Sequence, residues 1–417
     1  IKMKFFINSY FGDNQSIGLL SHIKKRLPYG MDDQWMVFSH YTERGWTVDN
    51  LWHIFTDFYG GQYAPLAFLS YLVLYAGFGY DPFYFHMFSL LLHIGCVCLV
   101  WKLISSLLRV HGGVSEKQIL YVNFITTLLF AVHPINVEAV AWISALKVLL
   151  YAFFYLLGLL CYLRYIRTSK IFYYVLTIGC FLCSFWGKEQ AVTFPLALLI
   201  VDWFTNRNMK NLEVWSEKMS FLIMAFFFGI ITVLSQGKGP YEMIFPLYQR
   251  LLFGCFALVE YITKSLLPVN LNFFYPFPIV LGEEPPLHYY LYPVVLLFLM
   301  GWIIAYRNNR YLVFGVLLFL VNLLFSIHLF NMSRHAIVAD RYMYLSYVGI
   351  AFLIANGIWW LRKRLSYFKA ALVFLFFYCF FLSVYTFHYT KKWENTTMVK
   401  KYTKEVLEKR LNGSNHL

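Results

Sequence analysis

Ten apolar runs of bilayer-crossing length, nearly free of charge, constrain this chain more than any other feature. They centre on residues 83–102, 119–133, 147–163, 171–186, 190–204, 219–236, 289–306, 311–330, 342–361 and 368–389. A membrane helix needs about 20 predominantly apolar residues, so the fold class expected is an all-α polytopic membrane protein. Composition agrees: 60% of the 417 residues are hydrophobic and 13% charged, against about 45–50% and about 25% in soluble domains. A disordered chain and a soluble enzyme with a single anchor are excluded.

The formal net charge of +14 would suggest nucleic acid in a soluble protein, but here it follows the loops. Arg109 and Lys117, then Arg164, Arg167 and Lys170, then Arg207, Lys210 and Lys218, then Arg307 and Arg310, then Arg362, Lys363, Arg364 and Lys369 cluster between apolar runs. The excess of Lys and Arg marks these loops as cytoplasmic. Alternation then puts residues before 83, the segments 133–146, 187–189, 237–288 and 331–341, and the tail from 390 on the outer side. The segment 249–267 breaks this alternation and carries Arg250, Glu260 and Lys264, so it reads as re-entrant or interfacial. Seven cysteines in or beside apolar runs form neither a disulfide framework nor a metal knuckle.

The chain divides into an N-terminal segment 1–31 without a membrane helix or signal peptide, a first outer loop 32–82, a membrane domain 83–389 and a short polar tail 390–417. In the outer loop, residues 46–62 interleave Trp46, Leu51, Trp52, Ile54, Phe55 and Phe58 with polar groups, the pattern of a helix lying on the membrane surface. Residues 65–78 are apolar but short, and read as a second surface or half-buried helix.

Four polar groups on the outer side are the candidates for chemistry, because ionisable side chains at membrane depth are costly and line pathways or sites. The adjacent Asp32 and Asp33, followed by Gln62 and Tyr63, suit a general base or a divalent-metal contact, or else form a solvated turn. His133 before Pro134 marks a helix end, while Glu138 beyond it needs a partner, for which Lys147 is available. Lys188 and Glu189 sit between two runs with almost no loop. They form either a self-neutralising turn or an anion site in which Lys188 binds a phosphate and Glu189 orients it. Arg334, His335, Asp340 and Arg341 suit a lipid phosphate with Asp340 holding Arg341, or a helix-cap ion pair. No P-loop, GxGxxG, nucleophile elbow, HExxH or paired CxxC occurs. Asn331, Asn395 and Asn412 head glycosylation sequons.

In order, MDDQW, GQYAPLAFLSY, FGYDPFYFHMFSLLLH, AVHPINVEAVAWISALK, WGKEQAVTFPLALLIVD and VADRYMYLSYVGI resemble the membrane domain of the transmembrane and tetratricopeptide-repeat proteins. These are C-type glycosyltransferases related to protein O-mannosyltransferases. The resemblance runs from about residue 30 to about residue 395. It implies about 10–12 membrane helices, and inverting transfer of a hexose, mannose by analogy, from a polyprenyl-phosphate carrier to an outer protein or lipid acceptor. It puts the base on Asp32 with Asp33 beside it, and places His133, Glu138, Lys147, Lys188, Glu189, Asp340 and Arg341 in the cleft. Membrane lipids are expected partners and nucleic acid is not. Relatives carry a helix directly before the acidic pair, so here it is read as missing or replaced. They also carry repeats after the last membrane helix, and an Arg-Lys-Asp run of which only Lys147 remains. A carrier-lipid flippase and an inactive scaffold are the rival readings. A bacterial inner membrane with a periplasmic site is the first expected location, and the endoplasmic reticulum membrane the second.

Overall fold

The computed structural model describes residues 32–236, 245–329 and 336–414. The N-terminal segment 1–31, Arg334, His335 and the sequon at Asn331 therefore lie outside the described residues. Among those described, the chain is helical almost throughout, with one two-stranded antiparallel pair, β1 (Tyr275–Pro276) and β2 (Ala336–Val338). The protein is an integral membrane protein of all-α class.

The first outer loop opens with a short turn of helix, α1 (Asp33–Met36), and continues through α2 (Val48–Thr56) and α3 (Pro65–Phe78). Thr47 caps α2 by accepting from the Asn50 amide at 3.2 Å. Trp46, Val48 and Trp52 stay exposed around it, as a helix lying in the headgroup layer requires. Helix α3 is apolar all round and turns Phe68, Tyr71 and Leu72 into a local core with Met36, Ile54 and Ile143. It is thus half-buried against the protein.

The membrane domain follows as α4 (Pro82–His111), α5 (Glu116–Val132), α6 (Val137–Ala141), α7 (Leu146–Thr168), α8 (Ile171–Gly187), α9 (Phe194–Phe204), α10 (Leu212–Gln236), α11 (Leu247–Leu266), α12 (Leu291–Ala305), α13 (Arg310–Leu323), α14 (Met343–Trp360) and α15 (Leu365–Thr390). Each expected run falls on a helix for most of its length, that at 311–330 only as far as Leu323. Among the described residues six helices are long and apolar enough alone to cross a membrane, and the α5–α6 pair, bent by 50°, makes a seventh if taken as one span. The other expected crossings fall on the shorter α8, α9 and α13. Segment 249–267 is one unbroken helix of 20 residues, α11, without the break a re-entrant loop needs.

Helix α7 is the centre of the bundle, packed by α4, α8 and α3, and its 18-residue apolar window is mostly buried where that of α15 faces outward. Phe374, Phe376, Phe377 and Phe380 on α15 are exposed and suit lipid contact, since lipid tails carry no penalty for apolar side chains. Helices α13 and α14 cross where Gly315 meets Gly349. A Cβ on Gly349 would stand 2.5 Å from the Gly315 carbonyl oxygen and 2.7 Å from the Phe319 nitrogen. Small residues allow such backbone approach in membranes.

The end of the bundle away from the first outer loop is closed by a buried ion network. Lys218 and Asp202, both without exposed surface, pair with each other. Arg207 bridges Asp202 at 3.2 Å and Glu217 at 2.6 Å, and Tyr162 donates to Asp202 at 2.8 Å. Two carboxylates thus meet two cations, tying α7, α9 and α10 together.

Gly349→Ala should destabilise the protein by about 2 kcal/mol or more, because backbone atoms on α13 cannot yield as a side chain can. Gly357→Ala on the same helix has nothing within 4 Å of the new Cβ, and is expected to be neutral or to gain up to about 1 kcal/mol from helix propensity. Thermal unfolding of both variants in detergent checks the contrast. Equal destabilisation would show that the α13–α14 approach carries no special constraint.

Candidate active site

The site is built where α5 breaks. His133 leaves helical geometry ahead of Pro134, its Nδ1 accepts the Ile135 amide proton at 3.2 Å, and the Asn136 side chain donates back to the Phe130 carbonyl at 2.7 Å. A proline lacks the N–H that would continue the ladder. The chain turns through α6, is extended at Trp142, and restarts as α7 with Lys147 in its first turn. Irregular backbone at this depth is tolerated because protein surrounds it.

This break points Glu138 inward with no exposed surface. Its Oε2 accepts from the Arg341 backbone N–H at 2.7 Å and its Oε1 pairs with the Arg341 guanidinium. The guanidinium lies 5.3 Å from the Trp142 ring centroid and 5.1 Å from that of Tyr342. Arg341, rather than Lys147, is therefore the partner of Glu138. Asp340 does not hold Arg341 either. It accepts from the Tyr275 hydroxyl at 2.9 Å and feels the charge of Lys264.

Lys147 donates instead to the Gln62 side-chain Oε1, and Gln62 is set by a tight turn whose ends, Tyr59 and Gln62, exchange backbone hydrogen bonds of 3.1 Å. Gly60 and Gly61 take φ +59° and +71° there, and a Cβ on Gly60 would stand 2.6 Å from the Trp35 ring. Glycine meets both demands. Tyr63 points away, donating to the Phe55 carbonyl at 2.9 Å.

Lys188 follows α8 in an extended conformation, 3% exposed, with its ammonium 4.7 Å from the Tyr342 ring centroid. Burial pushes its pKa down to about 8, partly offset by Glu189. Among the described residues no carboxylate lies within ion-pair distance of Lys147 or Lys188, so the self-neutralising turn is not formed. The half-buried Glu189 acts on both lysines through its field.

The acidic pair is split by burial. Asp33 is 1% exposed, and its Oδ1 accepts from the backbone and the hydroxyl of Ser144, at the restart of α7. Burial pushes its pKa up to about 7. Asp32 is half-buried, its carboxylate makes no hydrogen bond or ion pair to the described residues, and its charge acts on Lys147 and Arg341. The structure thus gathers Asp32, Gln62, Glu138, Lys147, Lys188, Glu189 and Arg341. His133 lies apart, buried with its ring 4.2 Å from that of Tyr347.

Sequence reasoning left out Tyr275 and Lys264. The signal for Lys264 was a cation in an apolar helix; for Tyr275 there was none. Beyond α15, helix α16 (Thr396–Ser414) buries Val399, Thr403 and Val406. Thr403 Oγ1 donates to Asn272 Oδ1 at 2.8 Å, and Trp393 stacks near Trp142 at 6.4 Å. The tail docks beside the site rather than ending as a stub. No group of three or more His, Cys, Asp or Glu side chains converges as metal ligands among the described residues.

Part of the chain is similar to curated proteins of animals. It is 32% identical over 189 residues to the protein O-mannosyl-transferase TMTC2 of Mus musculus, covering 41% of this chain and 21% of that protein. The Xenopus laevis tmtc2 protein of the same name is 30% identical over 203 residues, covering 44% and 23%, and the Drosophila melanogaster protein O-mannosyl-transferase Tmtc3 is 28% identical over 172 residues, covering 37% and 18%. The match spans about a fifth of the length of these relatives. No family model and no solved structure matches the chain.

Asp33 binds its proton more tightly folded than unfolded, so its contribution to stability is full below about pH 4 and is lost as pH rises through about 7. Wild-type melting temperature should therefore fall more between pH 5 and pH 8 than that of Asp33→Asn, which carries no titrating group there. Parallel pH profiles would place Asp33 in a solvated setting.

Proposed function

We propose that this chain is a membrane glycosyltransferase of C-type fold. It moves a hexose, mannose by analogy with the names of its relatives, from a polyprenyl-phosphate carrier to a hydroxyl on an outer protein or lipid acceptor. One observation carries the reading: the Asp32 carboxylate, without a hydrogen-bonding partner among the described residues, faces Lys147 and Arg341, with Lys188 beside them.

The chemistry such a reaction needs matches this set. The acceptor oxygen attacks the anomeric carbon from one face as the carrier phosphate leaves from the other, which inverts the centre. Asp32 takes the acceptor's proton, and the phosphate departs with the bonding electron pair toward Lys147 and Lys188. Those ammonium groups, with no carboxylate at ion-pair distance among the described residues, stabilise charge that grows in the transition state. Glu138 holds Arg341 at the rim of that site, and Glu189 tempers the field at the lysines. Gln62 keeps Lys147 oriented. Asp33 and His133 position backbone rather than touch substrate. The animal relatives favour the endoplasmic reticulum membrane, with a lumenal site, over a bacterial inner membrane.

Asp32→Asn should leave the melting temperature unchanged and lower transfer by about 100-fold or more, the usual span for a lost general base. The assay is purified protein in lipid with radiolabelled polyprenyl-phosphate mannose and a lumenal extract. Full activity in the variant removes Asp32 from the mechanism. Donor moved intact across the bilayer, without sugar release, would make the chain a flippase, and neither release nor movement would make it a scaffold.

Lys188 carries its charge below about pH 8 and loses it above. The donor KM is therefore expected to rise above that pH, and Lys188→Arg, whose guanidinium stays protonated, should keep the donor KM low to higher pH. A KM profile identical in the two proteins would place the phosphate elsewhere.

A further inference from the structure

At the end of α4 and α5 farthest from the candidate active site, a pocket of about 350 Å³ opens between the two helices. Helix α4 contributes Trp101, Ser105 and Arg109, and α5 contributes Lys117, Leu120 and Asn123. None of these takes part in the chemistry above. The 17-residue α5 separates the mouth of the pocket from His133 by about 25 Å.

The lining changes character with depth. At the mouth, Arg109 and Lys117 are exposed, and Glu116 pairs with Arg109 at 3.3 Å with both side chains more than half exposed. The mouth therefore carries a net single positive charge. About 10 Å further along α5, Asn123 lines the pocket, is 2% exposed, and its side-chain amide, Nδ2 included, makes no hydrogen bond to the described residues. A buried amide left unpaired is costly, so an Nδ2 donor in the lining calls for an acceptor at that depth. Along the open side Trp101 and Leu120 are 38% and 57% exposed, apolar surface that faces the membrane.

We propose that this pocket binds one monoanionic glycerophospholipid of the inner leaflet. The phosphodiester sits between Arg109 and Lys117, an acyl ester carbonyl accepts from the Asn123 Nδ2, and the first acyl methylenes lie against Trp101 and Leu120. The order of charge, amide and apolar surface matches the order of groups in a lipid crossing an interface about 5–8 Å thick. The basic loops place this end on the cytoplasmic side, where anionic lipids concentrate and basic pockets between helices take their headgroups. A free phosphate shares the chemistry at the mouth but leaves Asn123 unpaired.

The test is retention of phosphatidylglycerol against phosphatidylcholine by the purified full chain, read by native mass spectrometry from mixed micelles. Wild type should retain one phosphatidylglycerol. Arg109→Gln with Lys117→Gln should weaken retention by roughly fivefold per charge, and Glu116→Gln, which frees Arg109, should tighten it. All three positions are exposed, and unchanged melting temperatures confirm folding. Asn123→Leu should weaken retention of both lipids alike, because the ester groups are common to them. Equal retention by wild type and the double variant overturns the site. Retention that millimolar inorganic phosphate abolishes, and that Asn123→Leu leaves unchanged, makes it a free-anion site and overturns the lipid assignment.

Discussion

The carboxylate of Glu138, enclosed among membrane helices with no exposed surface, is the constraint on which the outer end of this protein depends. An unpaired buried charge costs several kcal/mol, and Arg341 supplies both a guanidinium and a backbone N–H from 203 residues away in the chain. Satisfying one side chain therefore fixes the bend after α5, the start of α14 and the stacking of Arg341 on Trp142 and Tyr342. Tyr342 in turn receives the Lys188 ammonium, so a third loop is held by the same ion pair.

The two ends of the bundle use the same residue types to opposite effect. At the inner end, Asp202 and Glu217 meet Lys218 and Arg207 within 3.2 Å or less, and Tyr162 and Tyr165 donate to the carboxylates. Every charge there has an opposite neighbour, and the network acts as a clamp on α7, α9 and α10. Among the candidate-site cations Lys147, Lys188 and Arg341, only Arg341 is matched in this way among the described residues, by Glu138. Lys147 and Lys188 have a neutral oxygen and an aromatic ring as their neighbours, which leaves positive charge available to an anionic ligand. Roughly 22 Å of α7 separates the two networks, so the inner clamp steadies the helix that carries Lys147.

The tail belongs to the same framework. Thr403 on α16 donates to Asn272, whose backbone N–H donates to the Tyr275 hydroxyl at 2.7 Å, and that hydroxyl donates to Asp340, the neighbour of Arg341. Polar networks of this kind gain rigidity when each member is satisfied. A segment following α15 is thereby connected by hydrogen bonds to the strand-and-turn that presents Arg341.

By itself the sequence determined the fold class, the helix positions and the residue types of the site. Apolar runs of crossing length have one stable solution in lipid, and charges beside them are too costly to be idle. The ordered motifs carry Asp32, Glu138, Lys188 and Arg341, which the fold brings into one neighbourhood. Only the tertiary structure decided the pairing and the depth. Lys147 was the nearer partner for Glu138 along the chain, yet Arg341 takes it, because α6 and the turn before α14 meet in space while Lys147 faces the first outer loop. Asp32 and Asp33 are adjacent and chemically identical, yet α1 buries one against Ser144 and leaves the other facing the cations. Local pattern reports which groups a segment carries. Which of them meet, and which are shielded from water, depends on contacts more than a hundred residues apart.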